Sequence, residues 1–135
     1  MTIREDFIPL WDDGVIKFQA VVMPNGQYQY IDGRPCITVG FAFENQTFKG
    51  FDRFTLFDTY YTDLLEEMEK IWHCLNGRIR LYDMGADTDG YIDISASNGR
   101  LAVSGQLGAT FSDFSLKFSF DADQTLLGLL RDCLK

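Results

Sequence analysis

Apolar and polar residues alternate with a period of two through most of this chain, and this pattern limits its fold more than any other feature. In GVIKFQAVVMP, residues 14–24, apolar side chains fall on one face, and Lys17 and Gln19 fall on the other. A strand buried on one face requires this pattern. It returns in PCITVGFAFE, TFKGFDRFTLF, RIRLYDM, YIDISAS, RLAVSGQL and FSDFSLKFSF, so the sequence predicts about seven strands.

Two stretches repeat their apolar residues at helical spacing instead. The first is TDLLEEMEKIWHCLNG, residues 62–77, for which Thr62 or Asp63 would cap the start and Gly77 would suit a left-handed end. The second follows Asp-Ala-Asp-Gln at 121–124, where carboxylates suit a helix N-terminus. The order βββαββββα, with short connections, predicts one α+β domain over residues 1–135. It would be a mainly antiparallel, curved sheet with two helices packed on it.

Charge and cysteine content limit the partners and the compartment. The chain has 135 residues and a net charge of −8, whereas nucleic acid is bound chiefly by Lys and Arg, so we expect no nucleic-acid partner. No apolar run approaches the ~18 residues that span a bilayer. Three cysteines, Cys36, Cys74 and Cys133, are widely spaced, and no signal-peptide pattern opens the chain. Free thiols in a cytoplasmic protein are the expectation.

The stretch MGADTDGYID, residues 84–93, has the composition of a calcium loop or of a turn. An EF-hand loop needs oxygen ligands at its first and twelfth positions and Gly at its sixth. With Gly90 at the sixth position, Gly85 and Ala96 fall on the first and twelfth, and neither supplies a side-chain oxygen. The flanking segments alternate like strands, so the stretch is predicted to be a turn between strands.

The usual catalytic combinations are incomplete. His73 is the single histidine, and its neighbour Cys74 points roughly 100° away on the same predicted helix, so the two cannot form a nucleophile and base there. The three cysteines lack the close spacing of a zinc site. Neither a phosphate-binding glycine motif nor a nucleophile elbow occurs. We therefore predict a protein without catalytic residues, metal or cofactor.

Aromatic residues crowd the segment from 41 to 61. Phe48 and Phe54 share one strand parity while Phe51 and Phe57 share the other, so both faces of this strand would be apolar unless a bulge near Gly50 shifts the phase. The second face would need cover from a curled sheet, an oligomer or a partner. Tyr28 and Tyr30 lie in a polar segment and would serve either as exposed interface anchors or as packing against their own domain.

Several segments resemble a known family. They are Tyr-Tyr-Thr-Asp-Leu-Leu-Glu-Glu-Met-Glu at 60–69, Gly-Arg-Leu-Ala-Val-Ser-Gly at 99–105, Leu-Lys-Phe-Ser-Phe at 116–120 and Asp-Ala-Asp-Gln-Thr-Leu-Leu at 121–127. Together they resemble the WapI-like family of small bacterial proteins, some of which are immunity proteins of toxin systems, over roughly residues 14–134. The resemblance implies a cytoplasmic protein that neutralises a cognate toxin domain. The matching motifs are scaffold, so no family site residue transfers to this chain.

These observations lead to a functional expectation of protein binding without catalysis. An immunity protein would cover a basic toxin domain with acidic and aromatic surface groups. The candidate contact residues are Asp87, Asp89 and Tyr91, together with Tyr28 and Tyr30. The alternatives are a small-ligand-binding protein and a structural homo-oligomer. The sequence alone does not determine the oligomeric state or show whether the sheet encloses a pocket.

Overall fold

A computed structural model describes residues 7–23, 29–31, 34–85, 88–109 and 115–134, with the backbone alone at 23, 29–31 and 34–35. Within these ranges the chain forms nine strands and two helices. The elements before the middle of the chain are β1 (Ile8–Asp12), β2 (Lys17–Met23), β3 (Gln29–Ile31), β4 (Arg34–Glu44), β5 (Lys49–Phe57) and α1 (Asp58–Cys74). The remaining elements are β6 (Gly77–Tyr82), β7 (Tyr91–Ser97), β8 (Arg100–Leu107), β9 (Leu116–Asp123) and α2 (Gln124–Leu134).

The strands form two antiparallel sheets. In the first sheet β1, β2, β4 and β5 are neighbours in that order, and the short β3 pairs with the beginning of β4. In the second sheet β6, β7, β8 and β9 follow one another as a meander. Helix α1 connects the two sheets, and α2 follows the last strand.

The predicted α+β class, the antiparallel pairing and the two helices are confirmed. Two details are wrong: the described strands number nine rather than about seven, and they form two sheets rather than one. Strand β1 escaped prediction because its register shifts between Pro9 and Trp11, which breaks the alternation. Strand β3 has only three residues, too few for a period to show.

The inner faces of the two sheets meet in an aromatic core. Phe18 of β2 and Phe41 of β4 stack with ring centroids 5.8 Å apart, and Phe18 also lies 5.7 Å from Phe118 of the second sheet. Phe43 stacks on Phe118 at 4.7 Å. Side chains from both helices complete this core; they include Leu64, Met68, Ile71, Leu126, Leu127 and Leu130. The apolar side of each alternating strand is therefore the side that the two sheets share.

The two helices pack closely against each other. A methyl group at Gly128 would lie 2.9 Å from the Trp72 ring, so glycine allows the indole to approach the backbone of α2. The Gln124 side chain donates a 2.7 Å hydrogen bond to the Trp72 carbonyl, and the Arg131 guanidinium lies 4.9 Å from the centre of the indole. Tyr61 donates its hydroxyl to the carbonyl of Leu134. These contacts join α1 to α2, although strands β6 to β9 separate the two helices in sequence.

Helix ends differ in part from the sequence-based prediction. Helix α1 begins at Asp58, before the predicted caps, and no side chain caps its start. Its left-handed C-terminal residue is Leu75, whose N–H bonds to the Ile71 carbonyl, rather than Gly77. Asp123 directly precedes α2 and accepts the N–H of Thr125 at 2.9 Å, so it caps the helix as predicted, whereas Asp121 lies in β9 and the first turn of α2 contains no acidic residue.

A two-residue hairpin turn joins β7 and β8. Asn98 and Gly99 have φ angles of 52° and 84°, as a type I′ turn requires. No helix among the described residues is long and apolar enough to cross a membrane.

Candidate protein-binding surface

The outer face of the second sheet carries a cluster of aromatic and charged residues near the loop between β6 and β7. Alternation turns Ile79 and Leu81 inward, so Arg80 and Tyr82 point outward. Their cross-strand partners on β7 are Asp93 and Tyr91, respectively. Directly opposed residues on one sheet face are close enough for their side chains to interact. Together with Asp89 in the preceding loop, these four residues form what we call the tyrosine–arginine surface.

Arg80 is held in one orientation by three contacts. Its Nε and Nη2 donate to the two carboxylate oxygens of Asp93 at 2.7 and 2.8 Å. Its guanidinium carbon lies 4.4 Å from the centre of the Tyr91 ring. The hydrogen bonds from Arg80 lower the pKa of Asp93, and the same bonds raise the pKa of Arg80. A bidentate, stacked guanidinium is already ordered before any partner arrives.

Tyr82 is supported from below by helix α1. Its ring lies 5.0 Å from that of Tyr60, centroid to centroid, and the Tyr60 hydroxyl donates to the Arg80 carbonyl. Burial raises the pKa of Tyr60 above its ordinary value, so this phenol stays protonated and remains a donor. Tyr82 itself is 41% exposed. The surface therefore offers an exposed aromatic ring on a rigid base.

A depression of about 320 Å³ lies beside these rings, and Arg80, Tyr82, Asp83, Asp89 and Tyr91 contribute to its lining. Asp89 is exposed and accepts a hydrogen bond from Gln106 Nε2 at 3.2 Å. Asp83 and Asp89 line the depression and Asp93 lies beside it, so three carboxylates stand against the guanidinium of Arg80 and the neighbouring charge of Arg78. The local charge is therefore acidic, like that of the chain as a whole.

Asp83 fixes the loop between β6 and β7 to the first sheet. Its Oδ1 accepts the N–H of Thr55 in β5 at 2.8 Å and that of Gly85 at 3.1 Å, and its Oδ2 accepts the N–H of Thr88 at 3.1 Å. Thr55 accepts the N–H of Met84 at 2.9 Å in return. Carboxylate contacts to backbone N–H groups thus replace a strand partner at this part of β5.

A second aspartate supports the same loop from β5. Asp52 Oδ2 accepts the Thr88 hydroxyl and the Gly108 N–H, both at 2.8 Å. The stretch that resembled a calcium loop therefore joins two strands, as predicted, and its described carboxylates, Asp89 and Asp93, accept hydrogen bonds from Gln106 and Arg80. Among the described residues, no group of three or more His, Cys, Asp or Glu side chains is arranged to hold a metal ion.

The structure brings together two of the five predicted contact residues. Asp89 and Tyr91 both lie on the tyrosine–arginine surface. Asp87 and Tyr28 lie outside the described residues, and Tyr30 is described only by its backbone in β3. Sequence reasoning missed Arg80, Tyr82 and Asp93. The alternation in RIRLYDM and YIDISAS already placed all three on an outward face, so the signal was present.

The histidine and cysteines do not come together. His73 is exposed on α1 with its Nε2 3.6 Å from Glu69, and the Cys74 thiol donates to the Asn76 carbonyl at 2.9 Å. Cys36 is buried, and burial raises the pKa of Cys133 to about 11.

This chain is similar to known proteins in its fold alone. No protein-family model matches this chain, and no curated protein does. Among solved structures, the plant transcriptional regulator PBF-2 is similar, with a TM-score of 0.51 and 7% sequence identity. The similarity covers 95% of this chain and 78% of that one. At this identity the two chains share an arrangement of strands and helices, and no residue role carries across.

Proposed function

We propose that this chain is a non-catalytic, cytoplasmic protein-binding domain that recognises a basic partner protein through the tyrosine–arginine surface. The observation that carries the proposal is Arg80, locked by Asp93 and stacked on Tyr91, next to the exposed ring of Tyr82. Tyr and Arg are among the residues most enriched at interface hot spots. Their rigid placement reduces the entropy lost on binding.

Charge supports a basic partner rather than nucleic acid. The chain carries a net charge of −8, and carboxylates outnumber cations on the tyrosine–arginine surface itself. Phosphate backbones would be repelled, whereas a Lys- or Arg-rich protein face would be attracted and guided during association. The immunity role suggested by the sequence resemblance fits this chemistry, because covering a toxin's basic substrate groove requires an acidic surface.

The test begins with a pull-down from lysate of the source organism, using tagged wild-type protein and two charge-reversal variants. Asp89→Lys changes the tyrosine–arginine surface, and Asp121→Lys makes the same change at an exposed position on β9. We expect a stoichiometric, basic partner on the wild-type and Asp121→Lys columns and its loss from the Asp89→Lys column. Equal retention on all three columns would contradict the assigned surface.

Immunity is distinguished from simple binding by a rescue assay. The recovered partner, or its C-terminal domain, is expressed in cells with and without this chain. Growth restored by the wild type and by Asp121→Lys, but not by Asp89→Lys, is the expected result. A partner that is harmless when expressed alone would exclude the immunity role. Recovery of this chain alone, from cells shown to express a candidate toxin, would count against protein binding and turn attention to small ligands in the 320 Å³ depression.

A further inference from the structure

The outer face of the first sheet carries a second, unrelated surface. Phe51 of β5 pairs with Ala42 of β4, and the register between these strands is regular through Gly50. The alternative of a bulge near Gly50 is therefore wrong, and Phe51 lies on the opposite face from the core residue Phe54. Its ring is 41% exposed. This strand is apolar on both faces, as one interpretation of its sequence predicted.

Phe51 belongs to a small apolar layer on this outer face. A methyl group at Gly40 would lie 3.0 Å from the Phe51 ring and 3.2 Å from Val21, so the ring crosses β4 where a side chain is absent. Phe7 meets the far side of the layer edge-on, with its ring centroid 6.0 Å from that of Phe51. Val21 is only 3% exposed although it points away from the main core. The layer is therefore closely packed and only partly covered.

A groove of about 560 Å³ runs beside this layer, and we call it the outer groove; Phe7, Lys17, Ala42, Glu44, Lys49 and Phe51 are among the residues that line it. Lys17, Glu44 and Lys49 are successive cross-strand partners on β2, β4 and β5. Glu44 lies 3.8 Å from the Lys49 amine, and Asp12 of β1 is the cross-strand partner on the other side of Lys17. Within the described residues, Lys17 forms no ion pair.

A further cation extends the positive charge along the same face. Arg53 lies two residues after Phe51 on β5, pairs with Gly40, and is exposed. Like Lys17, it has no ion-pair partner in the part of the chain that the structure describes. This face thus carries three cations against the two carboxylates of Asp12 and Glu44, so the outer groove combines an aromatic wall with an excess of one positive charge, in a chain whose net charge is −8. This local reversal of sign separates it from the tyrosine–arginine surface.

We propose that the outer groove binds a short acidic peptide segment of a partner protein, with one large apolar side chain between carboxylates. The apolar side chain packs against Phe51 and Phe7, and the flanking carboxylates pair with Lys17, Lys49 and Arg53. Aromatic walls provide most of the affinity of such grooves, while charges at the edge set specificity and the association rate. An apolar ligand without charge would leave the lysines unused, and a basic one would be repelled.

Fluorescence anisotropy with three labelled peptides tests this proposal on the full chain. The first peptide places Phe and Leu among glutamates, the second replaces each glutamate by lysine, and the third replaces Phe and Leu by alanine. We expect the first peptide alone to bind, and added salt to weaken its binding. Equal binding of the first and second peptides would overturn the charge assignment, and equal binding of the first and third would overturn the apolar anchor.

Two variants and a control locate the binding. Phe51→Ala and Lys49→Glu should each weaken the first peptide by about tenfold or more. Lys117→Glu makes the same charge change on β9 of the second sheet, and we expect it to leave the affinity unaltered. Since Lys49 is highly exposed, Lys49→Glu remains informative even if Phe51→Ala unfolds the layer. Unchanged affinity in Lys49→Glu would contradict the proposal.

A second copy of this chain could fill the outer groove instead of a peptide, and light scattering detects this because it measures the oligomeric state. The wild type should remain a monomer at the concentrations used for anisotropy. A dimer that dissociates in Phe51→Ala would show that this chain fills its own groove, and it would overturn the peptide proposal.

Discussion

Replacing Asp83 should destabilise the protein far more than an ordinary loop substitution. The side chain is 8% exposed and accepts backbone N–H groups from Thr55, Gly85 and Thr88. In Asp83→Ala the buried Thr55 N–H loses its acceptor, which costs about 2 kcal/mol. Water reaches Gly85 and Thr88 more easily, so the loss there is about 0.5 kcal/mol for each bond. The expected decrease in unfolding free energy is about 3 kcal/mol.

Chemical denaturation measures this value directly, with thermal unfolding as a second readout. A loss of about 3 kcal/mol in a domain of this size lowers Tm by roughly 10 °C. Asp83→Asn should cost about 1 kcal/mol, because its amide oxygen still accepts from Thr55 while its NH2 group faces the Thr88 N–H. The exposed Asp121→Ala serves as the matched control.

Hydrogen exchange at a single amide separates this mechanism from general destabilisation. The Thr55 amide should exchange faster in Asp83→Ala, under native conditions, than its neighbours in β5. If Asp83→Ala is as stable as Asp121→Ala, or the Thr55 amide keeps its protection, the carboxylate does not hold the loop to β5, and the reasoning fails.

Two further predictions concern packing and thiol access. Gly105→Ala should lower the unfolding free energy by about 2 kcal/mol, because its new methyl group would lie 2.3 Å from the Tyr91 carbonyl oxygen and force β7 and β8 apart. Denaturation of Gly105→Ala beside Ser104→Ala, its outward-facing neighbour, checks this, and equal stabilities would contradict it. Among the three cysteines, the exposed Cys74 should alkylate promptly in the folded protein, and the buried Cys36 only on unfolding. Mass spectrometry after timed iodoacetamide treatment checks the order, and prompt labelling of Cys36 would refute it.

The sequence predicts the faces of the strands well because burial imposes a period that a single chain displays. Phe18, Phe41 and Phe118 follow this period, and all three are buried between the sheets. The turn at Asn98 and Gly99 is equally local, since its positive φ angles depend on two residues. The pairing of strands, in contrast, depends on residues far apart in the sequence. Nothing in the alternation shows that α1 separates two sheets, and the shifted register at Pro9 and Trp11 hides β1.

In the candidate site, too, local features could be predicted from the sequence, and contacts between distant residues could not. Asp89 and Tyr91 could be identified because they sit in or beside a turn that exposes its side chains. Arg80 looked like an ordinary outward residue, and its role depends on Asp93, 13 residues away in sequence. The alternation places Asp83 near the end of the predicted strand RIRLYDM, whereas its structural partner is Thr55, 28 residues earlier. Such contacts are created by sheet registration and cannot be read from spacing.

We expect the recovered partner to bind at the tyrosine–arginine surface. Its affinity for two arginine variants tests this most directly. Arg80→Ala removes the guanidinium that Asp93 and Tyr91 hold, whereas Arg100→Ala removes an exposed arginine at the far end of β8 on the same face. We expect Arg80→Ala to weaken binding by about 30-fold, equivalent to about 2 kcal/mol, while Arg100→Ala binds as tightly as the wild type. Equal affinities of the two variants would contradict the assignment of this surface.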